Sequence, residues 1–170
     1  TPDKLSFEKG KITARGQSLR LFDNRHAFFK TGAVETRALD KFDVILMRQD
    51  PPFDMAYITA THILERLPAS TMVVNNPAEV RNAPEKLLVT HYPNLLPATL
   101  ISRDSDAIHA FRAEHKDIIV KPLFGNGGTG VFRIQPNDQN LNSLLEMFFN
   151  NSHEPVIVQA YLPAVRDGDK

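Results

Sequence analysis

The chain has 170 residues, of which 42% are hydrophobic, and its 20 basic residues are balanced by 20 acidic residues. This length suffices for one or two small domains, and the balanced charge argues against a nucleic acid or an anionic membrane as the main partner. The sequence has no cysteine, which excludes disulfides, thiolate metal sites and a cysteine nucleophile. Neither a membrane-spanning apolar run nor a secretory signal is present, so we expect a cytoplasmic protein.

The first half of the chain has the pattern of a small α/β unit. Residues 5–22 alternate apolar and polar side chains, which predicts two or three short antiparallel strands. The apolar run 43–47 is typical of a strand that is buried on both faces of a parallel sheet. A helix over 54–67, capped by Asp54, and a second buried strand over 71–74 would complete a right-handed βαβ unit.

Two polar side chains, Arg48 and Asp50, directly follow the first of these predicted strands. Pro51 and Pro52 then exclude a helix and hold the loop extended. Open α/β sheets bind their ligands at the carboxyl ends of strands, which makes both residues candidates for a binding site. An ordinary stiff loop with solvated side chains is the alternative.

Two proline-containing segments predict short helices after this unit. Asn76 and Pro77 provide a cap and a proline at the first helical position, and 82–86 repeats that arrangement for a helix that ends at residue 91. Lys86 therefore falls in the first turn, where a positive charge opposes the helix dipole. An anionic ligand would explain this lysine, and a solvated lysine is the alternative.

The second half alternates strands and helices. The pattern predicts strands at 98–101, at 118–120 leading into Lys121, at 130–134 and at 155–161, with helices from a cap at Ser102 or Asp104 to residue 115 and over 141–149. The histidines lack the spacing of metal ligands, and no GxSxG elbow is present.

The strongest chemical signal is the glycine-rich segment 125–130, which contains four glycines and follows Lys121. Glycines have no Cβ and tolerate positive φ, so the segment can direct backbone N–H groups at an anion while Lys121 adds positive charge. The segment ends without Gly-Lys-Ser/Thr and without a helix, which excludes a P-loop and a Rossmann fingerprint. A phosphate-binding loop inside a β-hairpin remains, with a simple hairpin turn as the alternative.

Further motifs occur from about residue 40 onward. They are ILMRQDPPFD at 45–54, VNNP at 74–77, EKL at 85–87, VKPL at 120–123, GNGG at 125–128, QAYLP at 159–163 and DGDK at 167–170. Together they closely resemble the bacterial type of glutathione synthetase, a family of ATP-grasp ligases. The resemblance implies a Rossmann-like, pre-ATP-grasp domain with a parallel sheet over 1–85 and the first part of an ATP-grasp domain over 86–170.

The resemblance also implies an activity. It is the ATP-dependent joining of γ-glutamylcysteine to glycine, through an acyl phosphate that the glycine amine attacks, with Mg²⁺ required. Phosphoryl transfer depends mainly on positioning and charge neutralisation, which two lysines and a glycine-rich flap can provide. Other ATP-grasp carboxylate–amine ligases and a nucleotide-binding module without catalysis remain as alternatives. The family further implies a homotetramer that acts on small molecules.

The same resemblance assigns roles to particular residues. Lys86 and Lys121 would hold the α and β phosphates, and 125–128 would close over the γ phosphate. The adenine would lie against 159–162, mainly on backbone groups. The implied ATP contacts are Lys86, Lys121, Gly125, Asn126, Gly127, Gly128, Gln159, Ala160, Tyr161, Leu162 and Asp169, and the implied peptide-substrate contacts are Arg48 and Asp50.

The sequence has the features of one part of a longer enzyme. It begins without Met and stops at the turn signal 167–170, directly after a predicted strand. The first strand of the N-terminal domain and the downstream half of the ATP-grasp domain, with its Mg²⁺-binding Glu and Asn, have no counterpart. We therefore expect the metal ligands to lie downstream of this chain and the chain alone to be inactive.

Overall fold

Residues 2–168 are described by a computed structural model, and the chain divides between Ala83 and Pro84 into two units. The described part of the chain contains no helix that is long and apolar enough to cross a membrane. The functional boundary that we expect between residues 85 and 86 stays a prediction.

A three-stranded antiparallel sheet opens the first unit. Its strands β1 (Leu5–Glu8), β2 (Lys11–Leu21) and β3 (Phe29–Ala38) are neighbours in chain order. The predicted antiparallel strands are confirmed, but β3 is missing from the sequence prediction. Almost all of β3 is exposed, so its sequence lacks the alternation of apolar and polar residues by which a half-buried strand is recognised.

The predicted βαβ unit follows. Strands β4 (Val44–Leu46) and β5 (Met72–Val74) pair in parallel, and α1 (Met55–Leu64) lies between them in the chain. The cap of α1 is confirmed, because the Asp54 carboxylate accepts a hydrogen bond of 2.9 Å from the Tyr57 N–H. The α-helix ends three residues before the predicted Leu67, and the chain continues there as a turn.

The expectation that β4 and β5 are buried on both faces is wrong for the described structure. Ile45 and Val73 pack against the core of the first unit, whereas Leu46 is 64% exposed and Met72 is 61% exposed. Side chains alternate between the two faces of a strand, so every second residue lies on the opposite face. One face of this two-stranded sheet is packed, and the other is open.

Two short helices, α2 (Pro77–Asn82) and α3 (Glu85–Leu88), connect to the second sheet in sequence. The Asn76 cap is confirmed, since its side chain accepts from the Ala78 N–H at 2.9 Å. The repeat of this arrangement at α3 is wrong, because the residue at its N-cap is Pro84 and makes no side-chain cap bond. A proline disfavours helical backbone at the residue before it, so Ala83 leaves the helical region and Asn82 remains the end of α2.

The second unit contains a four-stranded sheet. Its strands are β6 (Thr99–Ser102), β7 (Ile118–Pro122), β8 (Phe132–Ile134) and β9 (Val156–Ala160), in the order β6-β9-β7-β8, with every neighbouring pair antiparallel. Two longer helices are α4 (Ser105–His115), capped by Asp104, and α5 (Leu141–Asn151). These elements confirm the predicted order. Short 3₁₀ turns occupy Pro2–Lys4, Leu39–Lys41, Val89–His91, Pro93–Leu95 and Pro163–Arg166.

The second sheet has two faces with different roles. Ile118, Val120 and Val158 are fully buried in a cluster to which α4 and α5 also contribute. Alternation along β7 then places Lys121 on the opposite face. This face carries the polar side chains that matter for the candidate site.

We expect Ile118 to contribute strongly to the stability of the second unit. The change Ile118→Ala removes buried methyl groups and should lower the free energy of unfolding by about 2–5 kcal/mol, and Ile118→Val by about 0.5–1.5 kcal/mol. The exposed control Val131→Ala should change it by less than about 0.5 kcal/mol. Urea denaturation of the three variants measures the series, and equal losses for Ile118→Ala and Val131→Ala would contradict the assignment of this core.

Candidate functional site

The glycine-rich segment connects the two strands of a β-hairpin, as predicted. β7 and β8 are antiparallel, and Val120 lies opposite Phe132 at the base of the connection. Gly127, Gly128 and Gly130 all adopt positive φ, of 61°, 77° and 72°. These values are strained for residues with a Cβ, so the loop conformation depends on glycine.

The loop leaves open space at its centre. A Cβ added at Gly127 or Gly128 would meet no described atom within 4 Å, whereas one added at Gly130 would lie 2.9 Å from the Pro122 Cγ. Two internal turn bonds shape the loop: the Thr129 N–H donates to the Asn126 carbonyl at 3.2 Å, and the Val131 N–H donates to the Gly128 carbonyl at 3.4 Å. An anion can therefore approach the backbone at the two central glycines without a steric barrier.

Lys86 and Lys121 come together beside this loop, although they are 35 positions apart in sequence. The Lys86 ammonium group donates a hydrogen bond to the Gly125 carbonyl at the start of the loop. The pKa of Lys121 is lowered from its ordinary value, first because the side chain is partly buried and second because the charge of Lys86 is near; Glu85 opposes this shift. Two ammonium groups thus lie close enough to repel one another at one end of the glycine loop.

This arrangement suits a polyanion. Each lysine supplies a full positive charge, and partial burial strengthens any ion pair that forms there. A bound phosphate chain would relieve the repulsion between the two ammonium groups. The role of the hairpin loop as a phosphate-binding loop stays a prediction.

The segment 159–162 lies at the other end of the same sheet. In the ladder between β7 and β9, Lys121 is opposite Ile157, and Ala160 is three residues further along, or about 10 Å. The Gln159 side chain donates to the Thr99 hydroxyl at 2.9 Å and is directed at β6. The Ala160 N–H already donates to the Ala98 carbonyl, so the carbonyl of Ala160 and the backbone of Leu162 are the groups that a base could meet, at a distance from Lys121 that a nucleotide can bridge.

The remaining predicted site residues are Arg48, Asp50 and Asp169. Arg48 and Asp50 are exposed and follow β4 in the first unit, where they line a cavity of about 290 Å³ together with Lys4 and Arg15. Asp169 lies outside the described residues, so its role in ATP binding stays a prediction. Within residues 2–168, no group of three or more His, Asp or Glu side chains comes together to hold a metal ion.

Comparisons with known proteins agree with this geometry. The family model of the N-terminal domain of prokaryotic glutathione synthetase matches residues 1–81, and the model of its ATP-grasp domain matches residues 85–170. The chain belongs to the prokaryotic glutathione synthetase family.

Curated relatives in this family are similar along the whole chain. A glutathione synthetase of Rhodopseudomonas palustris is 52% identical over 170 residues, which are all of this chain and 54% of the relative. A glutathione synthetase of Bordetella parapertussis is 41% identical over 172 residues, which cover 98% of this chain and 54% of the relative. The chain thus spans about half the length of the curated relatives that it matches.

Solved structures support the ATP-grasp fold of the family. The D-cycloserine synthetase DcsG has a TM-score of 0.57 at 20% identity, over 75% of this chain and 46% of that protein. A RimK domain ATP-grasp protein from Sphaerobacter thermophilus has a TM-score of 0.55 at 21% identity, over 72% of this chain and 47% of that protein. At these identities the likeness shows the fold alone.

One polar cluster near the family's ATP-grasp motifs is missing from the sequence prediction. Arg133 in β8 forms a double hydrogen bond with Asp117 and stacks on the ring of Tyr161. Asp117 and Tyr161 are 44 positions apart in sequence, and no local motif marks the three residues as a group. Only the alternation of Arg133 between two apolar neighbours could have placed it on the face away from the core.

The lowered pKa of Lys121 predicts a pH-dependent stability. At neutral pH this lysine is protonated in both states, and its buried charge destabilises the fold; as pH rises through the lowered folded pKa, that penalty is lost. We expect Lys121→Met to raise the melting temperature at pH 7, and the gain to shrink as the pH approaches the ordinary pKa of lysine.

The matched control is Lys116→Met, which removes an exposed lysine of the same unit and should leave the melting temperature unchanged at pH 7. Thermal denaturation of the 170-residue chain without nucleotide, at several pH values, measures both variants. A lower melting temperature for Lys121→Met at pH 7, or a gain that is constant with pH, would contradict the proposed electrostatic cost.

Proposed function

We propose that this chain forms part of an ATP-dependent ligase that joins γ-glutamylcysteine to glycine. The observation that carries the proposal is the convergence of Lys86, Lys121 and the glycine loop on one end of an antiparallel sheet. The 52% identity to glutathione synthetases along the whole chain supports the choice of substrates. As an architecture we propose a pre-ATP-grasp domain over 1–85 and the first part of the ATP-grasp domain over 86–170.

The phosphates of ATP would bind at the lysine end of the sheet. Lys86 and Lys121 hold the α and β phosphates, and Gly125, Asn126, Gly127 and Gly128 close over the γ phosphate. The open space at the two central glycines supports a close approach of phosphate oxygens to the backbone. When the loop closes, it shields the acyl phosphate from water, which would otherwise hydrolyse this intermediate.

The adenine would bind at the opposite end of β9. Gln159, Ala160, Tyr161 and Leu162 line the base, with the backbone groups of Ala160 and Leu162 as the main contacts. The hydrogen bond of the Gln159 side chain to Thr99 supports a role for the backbone rather than for the amide. Asp169 would contact the ribose or the phosphates.

The peptide substrate would bind near Arg48 and Asp50. γ-Glutamylcysteine is an anionic peptide with one ammonium group, so it requires cationic partners for its carboxylates and an acidic partner for its amine. The cavity after β4 offers Lys4, Arg15 and Arg48 as cations and Asp50 as the anion. This charge pattern supports the proposed substrate class.

Mg²⁺ and the assembly are further parts of the proposal. Mg²⁺ would neutralise phosphate charge when bound, and we propose that its ligands lie in another part of the longer protein. The longer protein would act in the cytoplasm on small molecules, as a homotetramer, and the 170-residue chain alone would be inactive.

The activity is tested on a full-length protein that contains this chain. With γ-glutamylcysteine, glycine and Mg-ATP, we expect phosphate release that requires all three substrates and gives glutathione by mass spectrometry. Release with another acid and amine would reassign the protein to a different ATP-grasp ligase. Titration of the 170-residue chain with a non-hydrolysable ATP analogue is the second arm, and undetectable binding at millimolar ligand would show that this part alone is not a binding module.

The lysine roles predict the effect of removing each ammonium group. Lys86→Ala and Lys121→Ala in the full-length protein should each weaken ATP binding by about 1–3 kcal/mol, which is about 5- to 150-fold. Lys116→Ala, an exposed lysine of the same unit, should leave the affinity within about twofold. Isothermal titration calorimetry gives the three dissociation constants, and an unchanged affinity of Lys121→Ala would remove this residue from the site.

A further inference from the structure

We propose that Arg133 and Asp117 are positioning residues that fix the orientation of the base-binding segment 159–162 at the end of β9. This inference rests on the proposed nucleotide site. It adds two residues, one on β8 and one before β7, to which neither the sequence motifs nor the assigned contacts give a role.

Arg133 is fixed by two hydrogen bonds. Its Nε donates to the Asp117 Oδ1 at 3.0 Å and its Nη2 donates to Oδ2 at 2.6 Å, which is the double contact that a planar guanidinium makes with a carboxylate. This contact lowers the pKa of Asp117 below its ordinary value, so the pair is ionised at neutral pH. The orientation of the guanidinium plane is therefore set by Asp117.

The fixed guanidinium then holds the ring of Tyr161. The Cζ of Arg133 lies 3.7 Å from the ring centroid, which is a close stacking contact between a cation and an aromatic face. The backbone of Tyr161 is held from the same place, because its N–H donates to the carbonyl of Asp117 at 2.9 Å. Asp117 therefore holds Tyr161 in two ways: its carbonyl accepts the Tyr161 N–H, and its carboxylate orients the Arg133 guanidinium that stacks on the Tyr161 ring.

The orientation of Tyr161 determines which backbone groups its neighbours present. Successive residues of an extended chain point their N–H and C=O groups to opposite edges of the strand. The Tyr161 N–H points to β7, whereas the Ala160 N–H donates to Ala98 on the side of β6. Leu162 is also extended, so its backbone groups share the edge of Ala160. These are the two residues that we propose as contacts of the adenine.

The network lies at the base end of the proposed nucleotide site, four positions along the chain from Lys121. Asp117 precedes the strand that carries Lys121, and Tyr161 follows the strand that lies beside it. If the stack is lost, the segment after β9 can rotate and its backbone contacts to the base are weakened, while the lysine end is unchanged. The expected consequence is a loss of affinity that is specific to ligands with a base.

The test compares two ligands on the full-length protein, ATP and inorganic triphosphate. Arg133→Met should weaken ATP binding by roughly 3- to 30-fold and leave the affinity for inorganic triphosphate within about twofold. In steady-state kinetics the KM for ATP should rise by a similar factor, with kcat at saturating ATP nearly unchanged. Arg133→Lys keeps the charge but loses the planar fork, so it should give a smaller effect of the same kind.

Two further variants control for a merely structural role. Arg112→Met removes another anchored arginine of the same unit, whose guanidinium donates to the carbonyls of Gln135 and Asp138, and should not separate the two ligands. Asp117→Asn removes the charged partner that fixes the guanidinium and should repeat the ATP-specific loss, which keeps the proposal testable if Arg133→Met does not fold. Equal losses for both ligands, or no loss for ATP in either variant, would overturn the positioning role.

The failure of this inference can be distinguished from a failure of the proposed function. If the unmodified protein binds neither ATP nor triphosphate, the nucleotide site itself is wrong. If it binds both and the Arg133→Met and Asp117→Asn variants bind ATP as well as it does, the site stands and only the positioning role is rejected.

Discussion

The partly buried ammonium group of Lys121 is the electrostatic constraint on which the candidate site depends. A charge that is taken out of water and placed near a second like charge destabilises the folded chain unless an anion compensates for it. The glycine loop is the nearby backbone that can bring such an anion close, because its central positions carry no Cβ and adopt positive φ. A bound anion would therefore explain both the partly buried charge of Lys121 and the glycine loop.

The sheet of the second unit carries the polar side chains of the candidate site on one face and an apolar core on the other. Its strands alternate, so one set of side chains packs with the helices and the other set faces the site. Lys121 and Arg133 belong to this second set, on neighbouring strands. The apolar core on one face of the sheet therefore supports the polar side chains on the other face, which is the preorganisation that the proposed phosphoryl transfer would require.

Family membership and geometry carry different parts of the functional conclusion. The matches over residues 1–81 and 85–170 establish the family, but the chain spans about half of its curated relatives. The geometry of the second unit supports a nucleotide site with a phosphate end and a base end. The proposed positioning role of Asp117 and Arg133 concerns the base end. The sequence motifs identify this end only by residues 159–163.

The sequence by itself determined the local features: the caps at Asp54 and Asn76, a cap at Ser102 or Asp104, the hairpin around the glycine loop, and the motifs that indicate the family. These depend on residues a few positions apart, whose preferences act within a turn or a strand. Only the tertiary structure decided that Lys86 reaches Gly125, that Arg133 stacks on Tyr161, and that β4 and β5 have an open face. Such contacts join residues 28 to 39 positions apart, or depend on what covers a sheet, and no periodic pattern within one element encodes them.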